Sequence, residues 1–209
     1  MAQRQSSTCK PPEQTPALFL DRDGVINRRV LDGYVTTWQS FQFLSGSLEA
    51  LRELTTFGLP VFVITNQSCV NRGILPRNDL DEIHARMTAA IARHGGLVTQ
   101  VYICPHRPDE ECDCRKPKPG LLLRAACEYG LDLRSSWFVG DTATDVLAGQ
   151  RAGCRTCLVR GELSGDVPGD LREQHASELD VLRADDVAPT MIVSSLSEAA
   201  RRLRAAVAE

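Results

Sequence analysis

A short apolar run that stops at two aspartates constrains this chain more than any other feature. Residues 17–20 have the length and composition of a buried strand, and Asp21-Arg22-Asp23-Gly24 follows directly. In an open parallel α/β sheet, ligands bind just beyond the carboxyl ends of such strands. Side chains alternate along an extended segment, so Asp21 and Asp23 should face one ligand while Arg22 faces away. The pair therefore predicts a site for a hard, oxygen-seeking cation such as Mg2+.

Two interpretations of these residues are open at this point. With a bound cation, one carboxylate could attack a phosphorus atom while the other transfers protons. Alternatively, the four residues 21–24 are a polar turn at the end of an ordinary strand, which is the commoner origin of an isolated D-x-D-G pattern. The rest of the sequence has to decide between a catalytic site and a turn.

The composition is that of an ordinary globular protein. The chain has 209 residues, 43% hydrophobic and 24% charged, so we expect one domain, 17–209, after a disordered tail, 1–16. A net charge of −3 without a basic stripe argues against nucleic acid or a membrane surface as the partner and favours a small solute. Apolar runs are too short for a transmembrane span, and the tail lacks the apolar core of a signal peptide.

The eight cysteines indicate a reducing compartment rather than a disulfide framework. Three of them cluster with a histidine, and the chain is neither small nor marked for export. We therefore expect a cytoplasmic protein. A monomer is expected as well, although no sequence pattern fixes the oligomeric state. Cys154 and Cys157 have redox spacing, but Cys157 falls in an apolar run, so a buried structural role is predicted. No chemistry is assigned to His84, His94 or His175.

Apolar runs alternate with helical periods along the chain. Strands are predicted at 17–20, 60–64, 97–103, 137–139, 156–159 and 190–193. Helices are predicted at 48–57 after a Ser47 cap, from 78 or 79 to about 94, from 119 or 120 to 129, at 144–152 and at 195–207. This order predicts an α/β fold, a three-layer Rossmann-like parallel sheet with helices on both faces. A loop or small β flap is predicted at 27–43, and a surface excursion with a short helix near 170–177 within 161–189.

Three later strand ends carry polar groups that suit phosphoryl transfer. They are Thr65-Asn66 after the second strand, Arg115-Lys116 after the third, and Gly140-Asp141 with Asp145 after the fourth. A hydroxyl and backbone N–H groups can hold phosphate oxygens, a lysine can neutralise their charge, and a further carboxylate can complete Mg2+ coordination. Each group alone is common at the end of a strand, so only their order along the chain is informative.

In this order the groups resemble the haloacid dehalogenase superfamily of aspartate-nucleophile phosphatases, over about residues 17–160. The resemblance implies that Asp21 attacks phosphorus to form a phospho-aspartate. It also implies that Asp23 protonates the leaving oxygen and then activates water. Phosphoryl transfer asks mainly for in-line positioning and charge neutralisation, which agrees with this assignment.

The same resemblance implies the remaining ligands of the site. The implied Mg2+ ligands are the Asp21 carboxylate, the Asp23 backbone carbonyl and the Asp141 carboxylate. Thr65 and Lys116 would hold the transferring phosphoryl group. Asp145 would either lie near the metal or position Lys116.

A cluster of cysteines and one histidine predicts a zinc-stabilised loop. Cys104-Pro-His106 and Cys112-Asp-Cys114 are separated by five residues and supply three thiols and an imidazole. Four such ligands meet the tetrahedral preference of Zn2+, and a site closed by protein ligands is structural, not catalytic. The segment has few apolar residues, so metal binding could supply the free energy that orders it. The alternative is a polar loop with free cysteines.

Together with Asp-Arg-Asp-Gly and Thr-Asn-Gln, the zinc pattern resembles one subgroup of the superfamily. It holds D-glycero-D-manno-heptose 1,7-bisphosphate 7-phosphatases and histidinol-phosphate phosphatases, which are small enzymes without a large cap domain. The short spacings from Asp21 to Thr65 and from Thr65 to Lys116 leave no room for such a domain here. The implied substrate-binding residues are Asp32, Gly33, Tyr34, Thr65, Asn66, Gln67, Ser68, Arg115 and Lys116.

The substrate is less constrained than the reaction. Gly33-Tyr34-Val35 and the Arg115-Lys116 pair favour the heptose enzymes, and thus a sugar bisphosphate as substrate. The five-residue zinc spacer is more like the histidinol enzymes, and Thr142 stands where heptose enzymes often carry a lysine. Histidinol phosphate is therefore the alternative substrate. A third hypothesis is a catalytically silent, zinc-stabilised binding module on the same fold.

Overall fold

One parallel sheet forms the centre of the fold. The computed structural model describes residues 14–31, 33–161 and 187–207. In these ranges the strands are β1 (Leu18–Leu20), β2 (Val61–Asn66), β3 (Gln100–Cys104), β4 (Trp137–Gly140), β5 (Arg155–Val159) and β6 (Met191–Val193). The helices are α1 (Ser47–Thr55), α2 (Arg77–Arg93), α3 (Gly120–Tyr129), α4 (Ala143–Ala152) and α5 (Leu196–Val207). Neighbouring strands pair in parallel, in the order β3-β2-β1-β4-β5-β6.

Two apolar layers cover the sheet. Because side chains alternate along a strand, Leu18 and Leu20 of β1 face one layer and Phe19 faces the other. The first layer contains residues of α1, α2 and α5, among them Leu51 and Met87, and the second contains residues of α3 and α4. The predicted three-layer α/β arrangement, with helices on both faces of a parallel sheet, is therefore confirmed.

The strand order creates a crevice beside β1. This strand is central, and Leu18 lies opposite Val61 of β2 on one side and Trp137 of β4 on the other. The connections that follow β1 and β4 leave toward opposite edges of the sheet. Ligands of open α/β sheets bind at the carboxyl ends of the strands at this switch point. Within the described ranges no further domain is inserted between consecutive strands, as the short spacings predicted.

The predicted flap, residues 27–43, is a loop with isolated bridges rather than a regular hairpin. Asn27 bridges to Phe43 and closes its base. The rings of Trp38, Phe41 and Phe43 pack together, with centroids between 5.1 and 6.4 Å apart. The aromatic residues that show no helical period in the sequence therefore anchor the base of the flap.

Ser47 does not cap α1, although it was predicted to. It is the first helical residue and is buried, and the N-cap position belongs to Gly46, which makes no side-chain hydrogen bond. A capping side chain has to come from the residue before the first helical one, so the predicted start was one residue late. Cys154 and Cys157 are buried free thiols, in agreement with the structural role predicted for them.

The ends of the predicted domain are described only in part. Thr15 forms a bridge with Leu131, so the chain is joined to the rest of the fold from Thr15 onward. Residues 1–13 of the predicted tail and the short helix predicted near 170–177 lie outside the described residues. In the described ranges, no helix has both the length and the apolar character needed to cross a bilayer.

Candidate active site

A buried lysine joins two carboxylates at the carboxyl end of the sheet. Asp21 directly follows β1, and its Oδ1 lies 2.7 Å from Nζ of Lys116. Nζ also lies 2.6 Å from Oδ1 of Asp145 on α4, and it donates to the carbonyl of Ile64 at 3.0 Å. All three charged side chains are buried. The structure thus brings together predicted groups that follow three different strands.

These charges set each other's protonation. Burial alone would lower the pKa of Lys116, but Asp145 and Asp21 raise it above its ordinary value. Burial raises the pKa of Asp21 to about 6; Lys116 opposes the shift, and Asp145 and Asp23 add to it. For Asp145, Lys116 and the Thr142 hydrogen bond outweigh burial and lower the pKa. A further positive charge beside Asp21 would therefore favour its ionised form.

Asp145 is held at the N-terminus of α4. Its Oδ2 accepts hydrogen bonds from the backbone N–H groups of Asp141 and Thr142, at 3.2 and 3.0 Å, and from the Thr142 hydroxyl at 2.7 Å. The Thr142 side chain accepts from the Asp145 N–H in return, which completes a capping box. Since its Oδ1 contacts Lys116, both oxygens of Asp145 are engaged. This geometry favours the second of its two predicted roles, the positioning of Lys116.

Asp141 follows β4 and lies beside this bridge. One carboxylate oxygen from each of Asp21, Asp141 and Asp145 lies within 4.8 Å of the other two. Oδ1 of Asp141 lies 2.8 Å from Nη2 of Arg29, which belongs to the flap. Burial raises the pKa of the Asp141 carboxyl well above its ordinary value, against the opposing effect of Arg29. The flap and the sheet therefore meet at a carboxylate whose ionised form is disfavoured by burial even beside Arg29.

The donor set of this cluster fits Mg2+. Among the described residues, the three clustered carboxylates contact two cationic side chains, Lys116 and Arg29, which leaves one negative charge to be balanced by a cation or a proton. Carboxylate oxygens are the hard ligands that Mg2+ prefers. Asp21 and Asp141 are the members suited to bind such an ion, because the oxygens of Asp145 are engaged elsewhere.

Three side chains hold the second aspartate of the motif. Nη2 of Arg22 lies 2.9 and 2.8 Å from Oδ1 and Oδ2 of Asp23. The side-chain amide of Asn27 donates to Oδ1 at 2.9 Å, and that of Gln67 donates to Oδ2 at 2.8 Å. Burial acts to raise the pKa of Asp23, but Arg22 and these hydrogen bonds outweigh it and lower the pKa. The carboxylate is therefore held in one place.

Arg22 does not face away from the site, contrary to the prediction from strand alternation. β1 ends at Leu20, and the N–H of Asn27 donates to the Arg22 carbonyl at 3.0 Å, so the backbone turns immediately after the strand. The alternation rule applies only to extended chain, and here it stops before Arg22. The guanidinium folds back onto Asp23 and is buried. Both aspartates of the motif nevertheless line the same cleft.

The residues at the end of β2 line the cleft and also make hydrogen bonds to other groups of the site. The amide nitrogen of Gln67, which contacts Asp23, also donates to Oγ1 of Thr65 at 2.8 Å. The side chain of Asn66 donates to the backbone carbonyl of Lys116 and accepts from its N–H, both at 3.2 Å. The side chains of Asn66 and Gln67 are thus engaged with protein groups. Their predicted contacts with substrate remain predictions.

The cleft has a volume of about 310 Å³ and lies under the flap. Gly33 and Tyr34 of the flap line it, and so do Ser68 from the loop after β2 and Arg115 from the loop after β3. The hydroxyls of Tyr34 and Ser68 lie 3.0 Å apart and join the flap to the loop after β2. This volume suits a small molecule. Asp32, also predicted to bind substrate, lies outside the described residues.

The cysteines and the histidine predicted to bind a metal lie together after β3. Sγ of Cys104 lies 3.8 Å from Sγ of Cys112 and 3.3 Å from Sγ of Cys114. Nδ1 of His106 lies 3.2 Å from Sγ of Cys114, and all four ligand atoms lie within 4.8 Å of one another. Two thiolates bound tetrahedrally to Zn2+, with Zn–S bonds of roughly 2.3 Å, are about 3.8 Å apart. The cluster therefore has the composition and close to the size of a zinc site.

A hydrogen bond joins this cluster to the cleft. Nη1 of Arg115 donates to the backbone carbonyl of His106 at 3.0 Å. Arg115 lies between Cys114 and Lys116 in the chain and lines the cleft. The conformation of the cysteine loop therefore sets where the Arg115 guanidinium lies.

Sequence reasoning missed four side chains that contact the site. They are Arg22, Asn27, Arg29 and His84. A basic residue between two aspartates was an available signal for Arg22, but the alternation rule assigned it to the wrong side. The partners of these two residues, Asp141 for Arg29 and Arg22 for His84, are distant in sequence, so only the fold brings them into contact.

Comparison with known proteins agrees with this arrangement. The family model described as haloacid dehalogenase-like hydrolase matches residues 10–153, and a second, HAD-hydrolase-like model matches residues 113–199. The chain belongs to the haloacid dehalogenase-like hydrolases. The family resemblance drawn from the sequence is thereby confirmed, and the buried Asp21–Lys116–Asp145 bridge is a feature of one of its members.

Individual members of the haloacid dehalogenase-like hydrolases are similar over most of the fold. A D-glycero-beta-D-manno-heptose-1,7-bisphosphate 7-phosphatase from Pseudomonas putida is 45% identical over 143 residues, which are 68% of this chain and 81% of the relative. A phosphatase of the same name from Helicobacter pylori J99 is 40% identical over 144 residues, which are 68% of this chain and 82% of the relative. The crystal structure of D,D-heptose 1,7-bisphosphate phosphatase from B. bronchiseptica, complexed with magnesium and phosphate, is similar with a TM-score of 0.79 and 34% identity, covering 92% of this chain and 99% of that one.

Proposed function

We propose that this chain is a Mg2+-dependent phosphomonoester hydrolase that forms an aspartyl-phosphate on Asp21. The observation that carries the proposal is the buried lysine bridge: Lys116 contacts Asp21 and Asp145 at the floor of a cleft of about 310 Å³. Such an arrangement places a nucleophile and a fixed positive charge where a phosphoryl group would be transferred. The phosphatase names of the relatives support it.

The residues would act in two steps. First, a carboxylate oxygen of Asp21 bonds to phosphorus, the bond from phosphorus to the ester oxygen breaks, and protonated Asp23 gives its proton to that oxygen. Then a water oxygen bonds to phosphorus, the bond to Asp21 breaks, Asp23 takes up a proton of the water, and phosphate leaves. An incoming phosphate brings negative charge close to Asp23 and raises its pKa, which favours the protonated form needed first. Thr65 and Lys116 hold the phosphoryl oxygens in both steps.

Asp21, the backbone carbonyl of Asp23 and Asp141 would hold the Mg2+ ion. When bound, this ion neutralises charge on the phosphoryl oxygens. The hard carboxylate donors of the cluster support the assignment, as does the magnesium found in the B. bronchiseptica relative. Since both oxygens of Asp145 are engaged, that residue is assigned to the lysine and not to the metal.

Gly24 gives a test of the proposed role of Asp141. Its φ is +89°, and a Cβ added there would lie 1.8 Å from Oδ2 of Asp141. We expect Gly24→Ala to displace this carboxylate and to lower kcat/KM for p-nitrophenyl phosphate by roughly a hundredfold, the usual scale when a reacting group is displaced by about 1 Å. The assay is carried out at saturating Mg2+ and repeated over a Mg2+ titration.

Gly153→Ala is the matched control for this substitution. Gly153 has a φ of +91°, and an added Cβ meets nothing within 4 Å. Both variants should lose about 1–2 kcal/mol of stability because an L side chain is strained at this φ. Only Gly24→Ala should also lose activity. Similar kcat/KM values in Gly24→Ala and Gly153→Ala would argue against the role proposed for Asp141.

The substrate we propose is D-glycero-D-manno-heptose 1,7-bisphosphate, cleaved at the 7-phosphate. Arg115 lines the cleft next to Lys116, so the cleft offers a second cation for a second phosphate. A planar guanidinium can bind a phosphate bidentately, whereas an ammonium acts as a point charge. The names of the relatives from P. putida and H. pylori support this choice. The short zinc spacer and Thr142 keep histidinol phosphate as the alternative.

Substrate preference tests this assignment. We expect kcat/KM for the heptose bisphosphate to exceed that for histidinol phosphate by about a hundredfold, because one charge-assisted phosphate contact contributes roughly 3 kcal/mol. Arg115→Ala should remove most of this margin by weakening the bisphosphate reaction alone. Arg107→Ala is the control, because Arg107 lies in the same loop, its guanidinium contacts Asp109, and its side chain is 42% exposed. Equal or reversed preference in the unmodified protein would favour the histidinol assignment.

A structural Zn2+ held by Cys104, His106, Cys112 and Cys114 is the second metal that we propose. The proximity of the four ligand atoms supports it. Four protein ligands complete a tetrahedron, so the ion would take no part in the chemistry. It would fix the loop that carries Arg115 and Lys116. The monomeric state and cytoplasmic location expected from the sequence stay predictions.

The hypothesis of a silent binding module has a direct test. The clustering of Asp21, Lys116 and Asp141 argues against it, because a module that only binds has no use for a nucleophile beside a buried cation. Release of phosphate from p-nitrophenyl phosphate in the presence of Mg2+ would exclude the module. No release from this ester or from the heptose bisphosphate would exclude the phosphatase.

A further inference from the structure

A buried histidine contacts the site from outside the motifs that define it. His84 lies on α2, in the stripe of that helix that faces the core, and is 6% exposed. Its Nε2 lies 2.9 Å from Nη1 of Arg22, which is 1% exposed. Histidine and arginine are 62 residues apart in the chain, so this contact exists only in the fold.

The Arg22 guanidinium divides its contacts between two elements. Nη1 reaches His84, and Nη2 reaches both carboxylate oxygens of Asp23, at 2.9 and 2.8 Å. A guanidinium has donors and no acceptor, so Nε2 of His84 must accept, and the ring proton must lie on Nδ1. Burial, reinforced by Arg22, lowers the pKa of His84 to about 3, so the ring is neutral and able to accept at neutral pH.

We propose that His84 is a positioning residue, which holds Arg22 in the orientation that fixes the carboxylate of Asp23 for proton transfer. The proposal rests on the phosphatase function proposed above and on the role of Asp23 in it. His84 can orient Arg22 because few contacts fix the plane of its guanidinium. Of the guanidinium nitrogens in the described structure, Nε has no hydrogen-bond partner, so the contacts of Nη1 and Nη2 alone set the plane of the group.

The position of His84 is unusual for a residue that only fills space. Its neighbours in the buried stripe of α2 include Leu80, Ile83 and Met87, and an aliphatic side chain there would extend the core. An aliphatic side chain would leave Nη1 of a buried guanidinium without an acceptor, and the arginine would turn to find another. A turned guanidinium no longer presents Nη2 to both oxygens of Asp23.

The expected effect is partial, because Asp23 has other supports. Asn27 and Gln67 each donate to one of its oxygens, at 2.9 and 2.8 Å. Loss of His84 should therefore loosen the carboxylate without releasing it. General acid catalysis contributes about 10²–10⁴ in rate, so a loosened acid should lose roughly tenfold to a hundredfold.

The leaving group of the substrate separates a positioning role from a structural one. A sugar alkoxide needs a proton as it leaves, whereas p-nitrophenolate leaves without one. The value of kcat/KM reports the step in which the ester bond breaks. We therefore expect His84→Leu to lower kcat/KM for the heptose bisphosphate roughly tenfold to a hundredfold and for p-nitrophenyl phosphate about threefold or less. His84→Gln, whose amide oxygen can accept from Arg22, should restore the sugar phosphate reaction to within about threefold.

Two further variants make the test decisive. His94→Gln is the control, because His94 is the residue that ends the same helix and its ring contacts only the carbonyl of Ala90 among described polar groups. It should leave both reactions unchanged. Should His84→Leu fail to fold, His84→Asn takes its place, because the asparagine side chain is too short to reach Arg22. The fall of kcat/KM for the heptose bisphosphate, relative to that for p-nitrophenyl phosphate, should be the same as expected for His84→Leu.

Three outcomes would overturn the proposal. The first is an equal fall of kcat/KM with both esters in His84→Leu, and the second is no fall with either ester. The third is a folded His84→Gln variant whose kcat/KM for the sugar phosphate is as low as that of His84→Leu. Failure of the proposed function is distinguishable from these, because the unmodified protein would then release phosphate from neither ester. Asp23→Asn calibrates the measurement. It should lower kcat/KM for the heptose bisphosphate, relative to p-nitrophenyl phosphate, more than His84→Leu does.

Discussion

Asp21→Asn should lower kcat by more than about a thousandfold with every phosphomonoester. The amide cannot form the bond to phosphorus that a carboxylate forms, and loss of a covalent nucleophile raises the barrier by several kcal/mol, at roughly 1.4 kcal/mol for each tenfold. Acid quenching of the unmodified protein during turnover with radiolabelled substrate should trap a phosphoprotein, and the variant should trap none. Initial rates at saturating Mg2+ give kcat.

The fold should survive this substitution. Lys116 keeps Asp145 as a partner, and the asparagine oxygen can still accept from its Nζ. Unfolding temperature and zinc content should therefore stay close to those of the unmodified protein. Asp81→Asn, on the exposed face of α2, controls for the chemical change alone. Residual activity above about a thousandth, without a trapped phosphoprotein, would indicate direct attack by water.

Loss of the zinc cluster should have the largest effect on stability. We expect about one zinc per chain in purified protein, and Cys112→Ser should lower the free energy of unfolding by about 3–5 kcal/mol. This is less than the roughly 10–16 kcal/mol of zinc-finger peptides, because β3 and α3 keep their own contacts on either side of the loop. Cys127→Ser, at an exposed thiol outside the cluster, should change neither zinc content nor stability. Elemental analysis and denaturant unfolding measure the two quantities.

The two proposed metals should differ in how readily they leave. Brief treatment with EDTA should stop activity reversibly, since Mg2+ at a carboxylate site exchanges, while zinc held by three thiolates should remain. Zinc content near zero in active protein, or unchanged stability in Cys112→Ser, would contradict the structural zinc site.

The parts of the fold that were predictable from sequence are local. Buried parallel strands appear as short apolar runs, and the residues that follow them mark the carboxyl edge of the sheet, as Asp21, Thr65 and Asp141 do. The cysteine cluster was visible because its members lie within eleven residues of one another. The alternation of strands and helices was enough to predict the layers.

The parts that were not predictable depend on backbone turns and long-range contacts. Alternation failed at Arg22 because the extended chain ends at Leu20. The contact of Arg29 with Asp141 joins residues 112 positions apart, and no local pattern signals it. Gln67 was predicted to bind substrate, and only the folded structure shows its amide donating to Asp23 and Thr65.

The hydrogen bond from Arg115 to the His106 carbonyl ties the residue proposed to recognise the second phosphate to a loop, apart from the strand that carries the proposed nucleophile. The nucleophile lies at the end of a core strand, whereas the side chain assigned to the substrate's second phosphate takes its place from a loop outside the core. Insertions or deletions between His106 and Cys112 would shift the His106 carbonyl and with it the Arg115 guanidinium, whereas the next residue, Lys116, stays held by Asp21 and Asp145. Under the proposed assignment, the length of this one loop therefore sets which substrate is preferred, while the residues proposed to carry out the reaction keep their places.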